Sequence, residues 1–109
     1  QNHTIAEFYA DGRWALADAS YFFAVPGPDG KLLSVKDCHD RGPGQRAYAE
    51  AKGRRIKELM AMTDQQLNYT DPKAAERFRA ESAKFDVEAV ATATDFAFGV
   101  INYPLPPAP

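Results

Sequence analysis

The sequence predicts an α+β protein in which an antiparallel β-meander is followed by packed helices. In the first third of the chain, short apolar segments alternate with turn-forming residues, as they do in consecutive antiparallel strands. From Gln45 to about Met62 the apolar residues recur at helical spacing instead. Further on, Asp71 followed by Pro72 is typical of a helix start, with aspartate as the N-cap and proline at the first helical position.

The 109-residue chain is expected to form one domain with a modest core, since 45% of its residues are hydrophobic. We assign residues 1–36 to the meander, and residues 37–102 to a helical region with a C-terminal strand in the same domain. Residues 103–109 form a proline-rich tail, which should be extended because proline fits neither a helix interior nor a central strand.

Four strands are expected in the meander, at residues 4–9, 13–18, 21–25 and 31–35. The first two are joined by a turn that contains Asp11 and Gly12. An Asp-Gly pair between alternating apolar segments is the strongest local signal for a β-hairpin. The third strand should end at the turn-forming cluster over residues 26–30, which is rich in proline and glycine.

The second part of the chain should contain two helices, separated from the meander by a polar loop over residues 37–44. The apolar pattern of the first helix is interrupted once, at Gly53. The second helix should run from Asp71 to about Lys84. The side chains expected to face the core are Tyr48, Ile56, Leu59, Ala74, Ala75, Phe78 and Phe85. Part of residues 87–101 should be a strand, because Phe96, Phe98 and Val100 alternate.

The turn predicts the register of the first hairpin. A two-residue loop centred on Asp11 and Gly12 would pair Ile5 with Asp18 and make His3 a diagonal neighbour of Asp18, with Cβ atoms about 7 Å apart. A three-residue loop would instead place Asp18 on the opposite face of the sheet. A histidine held by an aspartate is two-thirds of a nucleophilic triad. The alternative is an ordinary hairpin, in which His3 lies at a strand edge and Asp18 ends a strand.

The composition disfavours several classes of partner. The net charge is −2, so no basic excess indicates a nucleic-acid partner. No apolar run approaches the roughly 18 residues that a membrane-spanning helix needs. The single cysteine, Cys38, is expected to be a structural thiol at the surface or partly buried. We predict no metal site, because the side chains of the consecutive Cys38, His39 and Asp40 diverge.

The beginning of the chain resembles the His/Asp half of the transglutaminase-like superfamily. Bacterial members typically have a histidine, then a hairpin with an acidic-Gly turn, then Trp-x-x-x-Asp. The residues that carry the resemblance are His3, Glu7, Tyr9, Asp11, Gly12, Trp14, Leu16 and Asp18. The match is close over about the first 20 residues and less specific over the aromatic strand and DGKLLSV that follow. From about Gln45 onward no pattern is recognised.

The resemblance implies a papain-like α+β fold, of which this chain would form part, and a Cys-His-Asp triad for acyl transfer or hydrolysis at an amide or ester. His3 would be the general base and acid, and Asp18 its orienting carboxylate. Gly12 and Trp14 would be structural, and Glu7 would bind a substrate group. No cofactor is implied. The substrate would be a protein, a peptide or an amine, and the location the bacterial cytoplasm or cell envelope.

The chain departs from the family pattern because no cysteine precedes His3. The nucleophile would therefore lie on an upstream segment or a second chain, and the enzyme would be complete only with it. One alternative is a non-catalytic transglutaminase-like binding module that has lost the cysteine. Another is a small ligand-binding cone of the nuclear-transport-factor-2 type, although the sequence predicts no helix before the first strand.

Overall fold

The structure, a computed structural model, describes residues 5–19, 21–39 and 42–94. It confirms the predicted α+β class, with a three-stranded antiparallel sheet in the order β1-β2-β3 and helices packed against it. The elements are β1 (Ile5–Ala10), β2 (Arg13–Asp18), β3 (Phe23–Ala24), α1 (Val35–His39), α2 (Pro43–Met60), α3 (Pro72–Ala83) and α4 (Val87–Ala91).

The β1–β2 hairpin has the two-residue loop that the turn residues predict. Asp11 and Gly12 both have positive φ angles, 53° and 79°, as a type I′ turn requires. The register pairs Ile5 with Asp18, which is the pairing expected from such a loop. Asp18 therefore lies on the same face of the sheet as Ile5, and the three-residue alternative is wrong.

The rest of the meander is shorter than predicted. The third strand is limited to Phe23–Ala24, and residues 31–35 do not form a fourth strand. Leu32 makes an isolated β-bridge with Pro26. The Leu33 N–H donates a hydrogen bond to the Val25 carbonyl, and the Leu33 carbonyl accepts one from the Leu16 N–H, each at 2.8 Å. The pairing ends there because a helix begins two residues later.

That helix, α1, occupies residues that we expected to be strand and loop. Its start is a capping box: the Ser34 hydroxyl accepts a 3.1 Å hydrogen bond from the Asp37 N–H, and the Asp37 carboxylate accepts one of 3.0 Å from the Ser34 N–H. The prediction of a loop over residues 37–44 is wrong for both ends of that range, since α1 extends to His39 and α2 begins at Pro43.

Helix α2 is continuous through Gly53, where the sequence indicated an interruption. A Cβ at this position would lie 2.6 Å from Cγ2 of Val87, the first residue of α4. The glycine therefore permits the close packing of α4 against α2. Toward the other end of α4, Gln45 of α2 donates from its side-chain amide to the carbonyls of Val90 and Ala93 at 2.7 and 3.0 Å.

Helix α3 has the predicted start, and α4 lies at the beginning of the range 87–101, of which only a part was expected to be a strand. The Asp71 carboxylate accepts a hydrogen bond from the Lys73 N–H at 3.0 Å, and Pro72 is the first helical residue. Asp86 caps α4 in the same way, so Val87–Ala91 is helical. The alternating residues Phe96, Phe98 and Val100 lie outside the described residues, as does the tail over residues 103–109.

The core lies between the sheet and the first two helices. Its buried residues are Leu16, Val25, Val35, Cys38, Tyr48 and Ala51. The predicted core residues Ile56, Leu59 and Ala75 are also buried. Ala74, Phe78 and Phe85 are only partly buried.

Candidate functional site

Asp18 is a carboxylate in the protein interior. It is the last residue of β2 and is 0% exposed. The Tyr48 hydroxyl, from the buried face of α2, donates a hydrogen bond to Asp18 Oδ2 at 3.0 Å. Burying an ionised carboxylate is costly unless hydrogen bonds and opposite charge compensate it. The tyrosine supplies one such bond.

The surroundings of Tyr48 favour the protonated, hydrogen-bond-donating form of its hydroxyl. Burial raises the pKa of its hydroxyl far above the ordinary value, and the negative charge of Asp18 raises it further. The ring is fixed by Phe23 of β3, whose centroid lies 5.7 Å away. Because Asp18 and Phe23 are paired in the sheet, the same strand pair positions both the carboxylate and the ring beside it.

Lys52 lies one helical turn after Tyr48, at the position where side chains share a face of α2. Its ammonium group is surrounded by three aromatic rings: Nζ is 5.1 Å from the centroid of Tyr21, 5.4 Å from that of Phe85 and 5.8 Å from that of Tyr48. Burial lowers the pKa of the Lys52 ammonium, and the negative charge of Asp18 acts in the opposite direction.

A tight turn connects Asp18 to β3. The Phe22 N–H donates to the Asp18 carbonyl at 2.8 Å. Phe22 has a φ of 56°, a conformation that bulky residues rarely adopt, and its side chain is 78% exposed. The carbonyl of the preceding residue, Tyr21, accepts a hydrogen bond from Arg55 Nε at 2.8 Å. Helix α2 therefore fixes this turn through Arg55 as well as through Tyr48.

Of the predicted catalytic pair, Asp18 is described and His3 lies outside the described residues. Gly12 occupies its predicted turn position with positive φ. Trp14 is half-buried on β2, where its ring contacts that of Tyr9 edge-on with centroids 5.6 Å apart. The Glu7 carboxylate accepts a 3.3 Å hydrogen bond from the N–H of Val35, the first residue of α1. Glu7 thus has a structural contact, and its binding of a substrate group stays a prediction.

Cys38 is 0% exposed on α1, deeper than the surface or partly buried position that we expected. Burial raises the pKa of its thiol to about 12, with further contributions from the charges of Asp37 and Glu7. Because only a thiolate is an effective nucleophile, Cys38 is inert near neutral pH. The residue is a structural thiol in the core.

A cleft of about 780 Å³ opens on the protein surface at the junction of α1 and α2. Arg13 and Asp29, whose side chains form a 2.6 Å ion pair, lie on one wall, and Lys36 and His39 lie on the wall formed by α1. The lining residues do not include Asp18, Tyr48 or Lys52. The cleft is therefore separate from the buried carboxylate.

Residues 5–19, 21–39 and 42–94 contain no group of three or more histidine, cysteine, aspartate or glutamate side chains placed to hold a metal ion. None of the helices in these ranges is long and apolar enough to cross a membrane.

The sequence indicated Tyr48 as a core residue but gave no sign that its hydroxyl meets Asp18. The one local signal was the spacing of Tyr48 and Lys52, which places both on one helix face. Comparisons with protein-family models, with curated proteins and with solved structures give no match for this chain.

Proposed function

We propose that this chain carries the histidine and the aspartate of a transglutaminase-like Cys-His-Asp centre within a papain-like fold. The observation that carries the proposal is the hairpin register, in which Ile5 pairs with the buried Asp18. His3 precedes Ile5 by two residues, and side chains two residues apart share a face of a strand. A buried aspartate on that face suits the orienting role in such a triad.

In the proposed reaction, the His3 imidazole takes the proton of a cysteine thiol, and the thiolate attacks the carbonyl carbon of an amide or ester. The imidazolium then gives its proton to the leaving amine or alcohol as the C–N or C–O bond breaks, which leaves a thioester. Water or a second amine releases the acyl group. Asp18 orients the ring and stabilises its protonated form, and Tyr48 holds the carboxylate through its 3.0 Å hydrogen bond.

The proposed nucleophile is a cysteine on a segment that precedes His3 or on a second chain. Cys38 does not suit the role, because it is buried and its thiol pKa is about 12. The substrate class is a protein or peptide amide or an ester, with water or an amine as acceptor. The chemistry requires no cofactor, and the cytoplasm or envelope of a bacterium is the proposed location.

Thiol labelling of the whole protein, including any sequence before Gln1, tests this function. At pH 6 iodoacetamide should label one cysteine other than Cys38 rapidly, because an imidazolium partner stabilises its thiolate. His3→Asn and Asp18→Asn should each slow this labelling at least tenfold, by the scale of activation that a triad histidine provides. His39→Asn is the matched control and should leave the rate unchanged.

The proposal fails if no cysteine reacts faster than an ordinary thiol, or if His3→Asn and His39→Asn have the same rate. In the first case, the alternative of a transglutaminase-like binding module without catalysis would be favoured.

A further inference from the structure

We propose that Lys52 is the counter-cation of the buried Asp18 carboxylate and, through it, a positioning residue of the site. In this assignment Asp18, Tyr48 and Lys52 form one charge-balanced unit that spans β2 and α2. The catalytic meaning of the unit rests on the function proposed above, whereas the coupling between Lys52 and Asp18 does not.

Tyr48 connects the two charged groups. Tyr48 contacts both: its hydroxyl donates to Asp18 Oδ2 at 3.0 Å, and its ring centroid lies 5.8 Å from Lys52 Nζ. The carboxylate and the ammonium thus both lie against Tyr48, the carboxylate fully buried and the ammonium on a half-buried side chain. In such surroundings opposite charges interact much more strongly than they do in water.

Three separate segments of the chain define the position of the ammonium. Tyr21 comes from the turn after Asp18, Tyr48 from α2 itself and Phe85 from the link between α3 and α4, and each centroid lies within 6 Å of Nζ. Cations at this distance are attracted by the faces of aromatic rings. A long lysine side chain would ordinarily extend into water, but here it stays half-buried.

The groups around Lys52 include a carboxylate, that of Asp18. The groups that the surrounding elements place around Lys52 are the carboxylate of Asp18 on β2, the phenols of Tyr21 and Tyr48, and the uncharged ring of Phe85. Burial lowers the pKa of Lys52, and the charge that opposes this effect is that of Asp18. The charge of Asp18 therefore favours the charged form of Lys52.

The coupling is tested without substrate by NMR titration of the lysine side chains, through their Cε and Nζ resonances. Asp18→Asn removes the charge while keeping the shape, so the titration of Lys52 should move to lower pH. The exposed Lys73 and Lys84 are controls within the same spectrum and should not move. Far-UV circular dichroism checks that the variant is folded. An unchanged Lys52 titration in the folded variant overturns the proposal.

The positioning role is tested in the complete enzyme with matched variants of Lys52. Lys52→Met should lower kcat roughly tenfold with little change in KM, a typical size for coupling between two sites. Lys52→Arg keeps the charge and should recover most of the loss. In an Asp18→Asn background the loss from Lys52→Met should largely disappear.

Equal kcat values for Lys52→Met and the unaltered enzyme would overturn the positioning role. Because the NMR titration needs neither a cysteine nor a substrate, its outcome is independent of the labelling experiment on His3. A coupled pair with no reactive cysteine refutes the enzyme function and leaves the counter-cation assignment standing.

Discussion

The Tyr48 hydroxyl and the Asp18 carboxylate, 3.0 Å apart, join the first half of α2 to the last residue of the central strand β2. Both residues are buried, so water cannot replace the bond when one partner is removed.

Tyr48→Phe should lower the free energy of unfolding by about 1–3 kcal/mol, the usual cost of removing a partner from a buried polar group. Urea denaturation measures the change. Tyr69→Phe is a suitable control, because Tyr69 contacts Phe78 through its ring and should lose less than about 0.5 kcal/mol, as surface-type substitutions do. Equal losses in the two variants would show that the Tyr48–Asp18 bond contributes nothing specific.

Cys38 should make the protein less stable at high pH. The folded thiol keeps its proton up to a pKa of about 12, whereas the ordinary value is 9.0, so between these values the unfolded state releases a proton that the folded state retains. Rising pH therefore favours unfolding, by at most about 1.4 kcal/mol per pH unit. Cys38→Ala should lose stability less steeply from pH 9 to 12, and identical slopes would contradict a buried, protonated thiol.

Gly53→Ala should destabilise the protein although it improves helix propensity. Alanine inside a helix is ordinarily better than glycine by about 0.5–1 kcal/mol, but the new methyl group would lie 2.6 Å from the stiff side chain of Val87. Overpacking of this kind costs about 1–3 kcal/mol. The double variant Gly53→Ala/Val87→Ala should recover part of the loss in thermal denaturation. A more stable single variant would refute the close packing of α2 and α4.

Ser34→Ala should lower the free energy of unfolding by about 1 kcal/mol, because it removes the N-cap hydroxyl of α1. Ser82→Ala is a matched substitution with the opposite expectation. Within the described residues the buried Ser82 hydroxyl has no hydrogen-bond partner, so its removal should be neutral or stabilising. Chemical denaturation distinguishes the two, and a larger loss for Ser82→Ala would contradict the assigned roles.

The parts of the fold that could be predicted are those fixed by local chemistry. Asp11 and Gly12 determine a turn type, and the turn type determines the register that pairs Ile5 with Asp18. Asp71 and Pro72 determine a helix start in the same way. In each case the residues that decide the structure are neighbours in the sequence, so no knowledge of the tertiary fold is needed.

The predictions failed where one segment carried signals for both a strand and a helix, or where the deciding contact joined residues far apart in the sequence. Residues 31–35 have a strand-like apolar pattern, but the capping box of Ser34 and Asp37 starts a helix there, and the spacing of these two residues was the signal that we missed. The bond between Tyr48 and Asp18 joins residues 30 positions apart, and nothing local to either residue indicates it.

The central claim is that Asp18 orients the imidazole of His3, and the pKa of the His3 imidazolium, measured by NMR in the unaltered protein and in Asp18→Asn, tests it most directly. The chain contains two histidines, and His39 on α1 serves as the internal control. We expect the pKa of His3 to fall in Asp18→Asn, because the imidazolium loses its carboxylate partner, while the His39 resonance is unaffected. An unchanged pKa of His3 in the folded variant would contradict the account.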